Sequence, residues 1–165
     1  MTQLEDRAVA PFYLQMMRDN AVDHAAEVWS ELVAVGRGLE VDDATWLLNV
    51  GEWRAVVMGA WFSTRFAGSE IGPALRRAMA ASGGSLTAGP LAVACVVVAG
   101  ADALPEMRSY VESERAQDGS AGLVAAGVEH LGGAAAVAAT DDDRRSFDQL
   151  LDRATRLGAA LSGSR

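Results

Sequence analysis

Three short apolar segments recur along the chain at intervals of 35 and 32 residues, within the range of helical-pair repeats. They are residues 57–61, 92–96 and 124–128, and each is followed by a turn and a second helical segment. A helical pair cannot bury its apolar face alone, so such pairs stack into an array. The recurrence predicts an all-α fold, a HEAT-like helical-repeat array of about eight or nine helices.

The residues from Glu52 to about Phe66 carry the clearest helical pattern in the chain. Their apolar side chains fall at positions i, i+3, i+4, i+7 and i+8, which places them on one helical face. These side chains are Trp53, Val56, Val57, Ala60 and Trp61. Residues 87–99 fit two structures. Their valines suit a buried strand, but the proline near the start, the interleaved alanines and the lack of a second strand favour a buried helix.

Residues 1–10 show no helical pattern, so we expect a flexible N-terminal tail followed by a single helical domain over residues 11–162. A proline suits the first turn of a helix, which predicts a short helix over residues 11–18. Another helix is expected over residues 103–117, and the three aspartates at 141–143 are expected to cap the last helix.

The chain carries a formal net charge of −8, from 22 acidic residues against 14 arginines and no lysine. Such acidity repels phosphate backbones, which excludes non-specific nucleic-acid binding. The negative charge has two possible roles: it attracts a basic partner, or it only keeps the protein soluble. A chain rich in alanine, glycine and arginine but without lysine indicates a coding sequence rich in G and C, which is typical of a bacterial source.

Cys95 is the single cysteine, so no disulfide can form within the chain, which fits a reducing compartment. Glu5 and Asp6 stand where a signal peptide would carry positive charge. The longest apolar run, residues 91–101, is shorter than the ~20 residues that a membrane span needs. We therefore expect a cytoplasmic protein without a membrane segment.

Two places bring together side chains of the types that metal or catalytic sites use. Asp23, His24 and Glu27 lie within one helical turn, but a metal site needs further ligands, and the other histidine is His130. A capped, solvated turn is the simpler interpretation. His130 follows Glu129 near a helix end, with no nucleophile beside it in sequence. We predict no catalytic residue, no bound metal and no cofactor.

Four tryptophans stand within 33 residues, at Trp29, Trp46, Trp53 and Trp61. Tryptophan is enriched in protein-binding hot spots, but it also fills helical cores. Trp53 is flanked by Glu52 and Arg54, which either pair with each other across the helix junction or face a ligand. Glu52, Trp53 and Arg54 are therefore candidate binding residues, with both roles open.

Three acidic clusters fall in the C-terminal half of the chain, at residues 112–118, 141–143 and 148–152, and in the last of them Asp148 and Asp152 are further candidate binding residues. A stacked array presents a concave face lined by the inner helices of successive pairs. Charge on such a scaffold steers a complementary partner and rejects a wrong one. The same carboxylates fit equally well a role in keeping the outer helices soluble.

Three motifs stand out beyond the periodicity: Pro11–Leu14 (PFYL), Gly51–Arg54 (GEWR) and Gly59–Phe62 (GAWF). In these motifs the chain resembles the domain-of-unknown-function family numbered 6000, whose members are short, HEAT-like bacterial proteins. The resemblance is clearest over about residues 9–100 and fades afterwards, where alanine and glycine replace charged and aromatic positions. It implies the helical fold and no catalytic residue, because the family has no established activity.

Together these patterns predict a non-enzymatic protein-binding protein. Small helical proteins of this kind are frequent among immunity proteins that neutralise bacterial toxins, so the favoured partner is a basic toxin domain. An alternative is an enzyme or accessory protein of specialised metabolism that uses a helix-lined cavity near Trp53. A third is an adaptor for a housekeeping partner.

Overall fold

The computed structural model describes residues 2–163, which form ten α-helices and two short 3-10 helices. In chain order the α-helices are α1 (Gln3–Ala8), α2 (Asn20–Asp23), α3 (Ala25–Arg37), α4 (Val41–Asn49), α5 (Trp53–Ser63), α6 (Gly68–Ala80), α7 (Ser85–Val98), α8 (Leu104–Val111), α9 (Ala121–His130) and α10 (Asp141–Ser162). The 3-10 helices, Gly100–Ala103 and Glu114–Asp118, flank α8. No strand occurs in residues 2–163, which confirms the predicted all-α fold.

The helices are arranged in three layers. α4, α6 and α8 lie side by side in the first layer, and α5, α7 and α9 lie side by side in the second. The three recurrent apolar segments, residues 57–61, 92–96 and 124–128, lie in the helices of the second layer, and all their residues except Val96 are buried. The recurrence therefore marks the central layer of a helical-pair array.

The third layer is the long helix α10, which packs on α5, α7 and α9 as well as on α2 and α3. Its buried residues form an apolar stripe: Phe147, Leu150, Ala154, Leu157, Gly158 and Leu161. We expected the inner helices to line an open concave face. That expectation is wrong, because α10 covers the side of the second layer that faces away from the first.

Arginine side chains join α2 and α3 to α10, and they join the segment after α5 to the end of α3. Arg65 donates from Nη1 to three carbonyl oxygens at the end of α3, at 3.1, 2.8 and 2.6 Å. Arg37 donates to the carbonyl oxygen of Ala160 at 3.0 and 2.7 Å, and Arg153 donates to that of Val22 at 3.0 Å. The last carbonyls of a helix have no partner within it, so these guanidinium groups satisfy backbone oxygens while joining distant helices.

The start of the chain departs from the expected flexible tail over residues 1–10. Gln3–Ala8 form α1, whose last residue is fully buried. Thr2 and Glu5 cap this helix reciprocally: each side chain accepts a hydrogen bond from the backbone N–H of the other. Such a capping box satisfies two N–H groups that have no partner within the helix. Met1 lies outside the described residues.

Residues 11–18 form successive turns, so the helix expected there is wrong. The turns are held against the core by Trp61, whose indole N–H donates to the carbonyl oxygen of Met16 at 2.7 Å. Both side chains are fully buried. Trp61 is therefore a core residue, whereas the other three tryptophans, Trp29, Trp46 and Trp53, are half-buried.

Two further boundaries differ from the sequence expectation. The helix expected over residues 103–117 is divided, because Ser113 adopts an extended conformation after α8 and a separate 3-10 helix follows. The aspartates at 141–143 were expected to cap α10, but its N-cap residue is Thr140, and of the three aspartates Asp143 completes the capping box. The Thr140 hydroxyl accepts from the Asp143 N–H at 3.1 Å, and the Asp143 carboxylate accepts from the Thr140 N–H at 2.8 Å.

The structure confirms a helix in place of a strand for residues 87–99, since α7 runs through most of them. Residues 87–95 are all buried. Neither α7 nor any other helix in residues 2–163 combines the length and apolar character that crossing a membrane requires.

Gly36 and Gly38 give a matched test of the packing between α3, α5 and α10. A Cβ atom on Gly36 would lie 2.5 Å from Leu161 Cδ2 and 2.9 Å from the Phe62 ring, whereas one on Gly38 would make only ordinary contact. We expect Gly36→Ala to lower the free energy of unfolding by about 1–3 kcal/mol through overpacking. Gly38→Ala should change it by less than about 0.5 kcal/mol. Urea unfolding followed by circular dichroism compares them, and equal effects would contradict the described packing.

Candidate functional site

A cavity of about 600 Å³ opens where the C-terminal ends of α4 and α6 meet the start of α5 and the N-terminus of α7. Its apolar side is formed mainly by Leu48, Trp53, Val56 and Leu86. Its polar side chains are Asn49, Arg77, Ser82, Ser85, Thr87 and Asp118. The cavity thus combines an aromatic and aliphatic wall with a small number of polar groups, the usual composition of a small-ligand site.

Four buried hydroxyl groups form what we call the polar floor: two of them line the cavity, and the other two lie behind the lining. The hydroxyls of Ser82 and Thr87 lie 2.7 Å apart, and those of Tyr110 and Ser120 lie 2.6 Å apart. All four residues are buried. Burial raises the pKa of the Tyr110 phenol, and the hydrogen bond with Ser120 partly opposes that shift. Paired in this way, the hydroxyls hold fixed positions and can be buried without loss of hydrogen bonding.

Asp118 joins the polar floor to the N-terminus of α7. One carboxylate oxygen, Oδ2, accepts from the Ser85 N–H, and the other, Oδ1, accepts from the Ser120 hydroxyl at 2.7 Å and the Ser120 N–H at 3.2 Å. Partial burial acts to raise the pKa of the Asp118 carboxyl. The hydrogen bonds from Ser120 and Ser85 outweigh burial and hold that pKa below its usual range. Asp118 is therefore a charged cap on α7.

Gly84 makes room for this cap. Its backbone has φ +146°, a conformation that residues with a Cβ atom rarely adopt. A Cβ atom at this position would also lie 2.6 Å from Asp118 Oδ2. Gly84 therefore lets the carboxylate approach the first N–H of the helix.

Arg77 supplies the cation in the cavity wall. Its side chain is exposed, and no ion pair or hydrogen bond joins it to another side chain or carbonyl within residues 2–163. The preceding residue, Arg76, differs in this respect, because it donates to Glu106 Oε1 at 3.1 and 2.8 Å. That ion pair holds the pKa of Glu106 below its usual range.

The predicted residues Glu52, Trp53 and Arg54 lie together at the start of α5. Glu52 is the N-cap, accepting from the N–H groups of Arg54 and Ala55 at 2.9 and 3.1 Å, and its other oxygen accepts from Arg54 Nη1 at 2.8 Å. The Arg54 guanidinium lies 4.5 Å from the Trp53 ring and 5.2 Å from the Tyr13 ring. Of the two roles left open, Glu52 and Arg54 take the pairing role, and Trp53 alone lines the cavity.

The predicted residues Asp148 and Asp152 lie on α10 and take no part in the cavity. Both are exposed, but Asp152 pairs with Arg156 at 2.9 Å. Two other acidic residues of this helix are likewise paired, Asp141 with Arg144 and Asp142 with Arg145, and Asp143 is engaged in the cap. The acidic surface expected on α10 is therefore largely neutralised by arginines of the same helix.

The other sequence candidates are isolated. His24 Nδ1 lies 2.8 Å from Glu27 Oε1, and both side chains are exposed. Within residues 2–163, no three or more histidine, cysteine, aspartate or glutamate residues are grouped so that they could hold a metal ion. Burial raises the pKa of the Cys95 thiol to about 12, so the thiolate, which is the reactive form, is scarce at neutral pH.

Sequence analysis missed Arg77, Ser82 and Asp118 as site residues. The run from Ser82 to Ser85 was visible as a glycine-containing loop before a helix, which is a signal for exposed N–H groups at a helix N-terminus. Asp118 carried no comparable signal, because its contact with Ser85 spans 33 positions of sequence.

Comparisons with known proteins give no assignment: no family model, curated protein or solved structure matches the chain. The resemblance to the family numbered 6000 therefore stays a prediction from the motifs.

Gly83 and Gly84 provide a matched test of the loop before α7. Gly84→Ala forces a strained backbone and pushes against the Asp118 carboxylate, so we expect a loss of about 1–3 kcal/mol in the free energy of unfolding. A Cβ atom on Gly83 would have nothing within 4 Å. Gly83→Ala should therefore change stability by less than about 0.5 kcal/mol. Thermal unfolding compares the stability of both variants with that of wild type. A Gly84→Ala protein as stable as wild type would contradict the described cap.

Replacing Asp118 tests the cap at different pH values. In Asp118→Ala, Ser85 and Ser120 lose a charged acceptor, and we expect a loss of about 1 kcal/mol at neutral pH. Because the folded pKa is depressed, wild type has this stabilisation above the unfolded-state pKa of about 3.9 and loses it as pH falls through the lower folded pKa. Urea unfolding at about pH 7, 5 and 3 should show the difference between the two proteins shrinking at the lowest pH. A pH-independent difference would exclude a charged cap.

Proposed function

We propose that this chain is a non-enzymatic binding protein whose ligand occupies the cavity beside Trp53. The observation that carries the proposal is the cavity itself. Its volume of about 600 Å³ lies within the range of roughly 300–1,000 Å³ that is usual for small-molecule sites. Its composition also fits, because an apolar wall supplies burial and a few polar groups fix the orientation of a ligand.

The chemistry of the wall supports binding rather than catalysis. A hydroxyl becomes a nucleophile when a base beside it takes its proton. The hydroxyls of Ser82 and Thr87 instead contact each other, and the wall contains no histidine, lysine or cysteine. Asp118 is a poor general base at neutral pH, because its depressed pKa lies far from the operating pH that efficient proton transfer requires.

Among the functions predicted from sequence, this proposal is nearest to an accessory protein of specialised metabolism with a helix-lined cavity. An immunity protein that binds a basic toxin domain stays a prediction. Its expected binding surface is reduced, because α10 covers the inner helices and Asp152 is paired. Asp148 is the exposed acidic residue of α10 that forms no ion pair within residues 2–163, and it is the better residue for testing that prediction.

The test is ligand binding followed by heteronuclear NMR, with the neutral probe naphthalen-2-ylacetamide. We expect the indole N–H signal of Trp53 and the amide signals of residues 83–85 to shift on titration, because they surround the cavity. The indole signal of Trp61 should stay in place, since that side chain is fully buried elsewhere in the core.

Filling the cavity supplies the control. Ala81 lines the cavity and the neighbouring Ala80 does not, although both are exposed at the end of α6. Ala81→Trp should abolish the shifts, and Ala80→Trp should leave them. Shifts that persist in Ala81→Trp, or that are spread evenly over the surface, would refute the cavity as the binding site.

A further inference from the structure

We infer that the cavity takes a small anion with a flat apolar body, such as an aromatic carboxylate, and that Arg77 binds its acid group. This inference rests on the proposed function above, because it assigns a ligand class to the same cavity. Four features carry it: the uncommitted charge of Arg77, the committed charge of Asp118, the fixed aromatic face of Trp53 and the size of the cavity.

Arg77 stands out when all the arginines are compared. Residues 2–163 contain 13 of the 14 arginines, since Arg165 lies outside them. Ten of the 13 donate to a carbonyl or carboxylate oxygen of another residue. The remaining three are Arg7, Arg18 and Arg77, and of these Arg77 alone lines the cavity. A guanidinium group with its donors free presents the planar fork that matches a carboxylate.

Asp118 also lines the cavity, but it forms no ion pair with Arg77 within residues 2–163. Its two oxygens already accept from the Ser85 N–H and from the N–H and hydroxyl of Ser120. The carboxylate also lies at the N-terminus of α7, where the helix dipole places partial positive charge. The Asp118 carboxylate is therefore hydrogen-bonded within the protein, whereas Arg77, which also lines the cavity, has no hydrogen-bond or ion-pair partner for its side chain within residues 2–163.

Trp53 is positioned to receive the apolar body. Its ring packs T-shaped against Tyr13 at a centroid distance of 5.8 Å and against the Arg54 guanidinium at 4.5 Å. These contacts fix the indole before a ligand arrives, which lowers the entropy cost of binding. A fixed aromatic face favours a flat, stackable ligand, and Val56 and Leu86 extend the apolar surface.

The experiment compares three probes that share a naphthyl body and differ in charge: naphthalen-2-ylacetate, its neutral amide and 2-(naphthalen-2-yl)ethylamine. Calorimetric titration at about pH 7 should rank them acid, amide, amine. We expect the acid to bind about tenfold more tightly than the amide, because a carboxylate forms an ion pair and two parallel hydrogen bonds with a guanidinium group, whereas the amide offers one neutral oxygen. Raising the salt concentration should weaken binding of the acid and leave that of the amide unchanged.

Arg77→Gln should remove the preference, so that the acid and the amide bind equally. Arg145→Gln is the matched control, because Arg145 is exposed on α10 and outside the cavity. Circular dichroism checks that both variants are folded.

If the amide binds as tightly as the acid, or if Arg77→Gln keeps the preference, the ligand class is wrong while the binding cavity stands. If none of the three probes binds wild type, the proposed function itself is refuted.

Discussion

Over residues 87–95, helix α7 is enclosed by α5 and α9 within its layer and by α6 and α10 on its two faces. A helix in that position has no polar face, and residues 87–95 are accordingly all buried. Its backbone satisfies itself internally except at the ends, where the first N–H groups and last carbonyls lack partners. The neighbouring helices bury the sides of this helix. Its first N–H groups, where the N-terminus reaches the surface, need hydrogen-bond acceptors from elsewhere in the chain.

The polar groups that meet this need also form the candidate site. Unpaired amides are costly to bury, so the start of α7 is surrounded by hydroxyls, two glycines and the Asp118 carboxylate rather than by close apolar packing. Side chains from α4, α5 and α6 then stop short of the helix end and leave the cavity. Stability and the proposed binding therefore depend on the same few residues, because Asp118 accepts hydrogen bonds from Ser85 and Ser120 at the positive end of the helix and forms no ion pair with Arg77.

Periodicity predicted those parts of the fold that depend on neighbours in sequence. The apolar segments marked the central layer, because spacing along a helix decides which side chains share a face. Residues 87–99 were predicted as a helix from their proline, their interleaved alanines and the lack of a second strand. Contacts between distant segments leave no such trace. Asp118 looked like one more surface carboxylate, and the pairing of Glu52 with Arg54 was one of two open roles. The position of α10 over the inner helices could not be predicted either, since an amphipathic stripe specifies a buried face but not its partner.

The bonds that α10 makes across the chain change how an array of this kind behaves. Arg37 with Ala160, and Arg153 with Val22, join positions 123 and 131 residues apart. In an open stack each helical pair touches only its neighbours, so pairs melt one after another from an end. Here α10 contacts α2 and α3 as well as every helix of the second layer. We therefore expect the helices to unfold together as one cooperative unit. During synthesis, the apolar side of the stack therefore stays uncovered until the residues of α10 have been added to the chain.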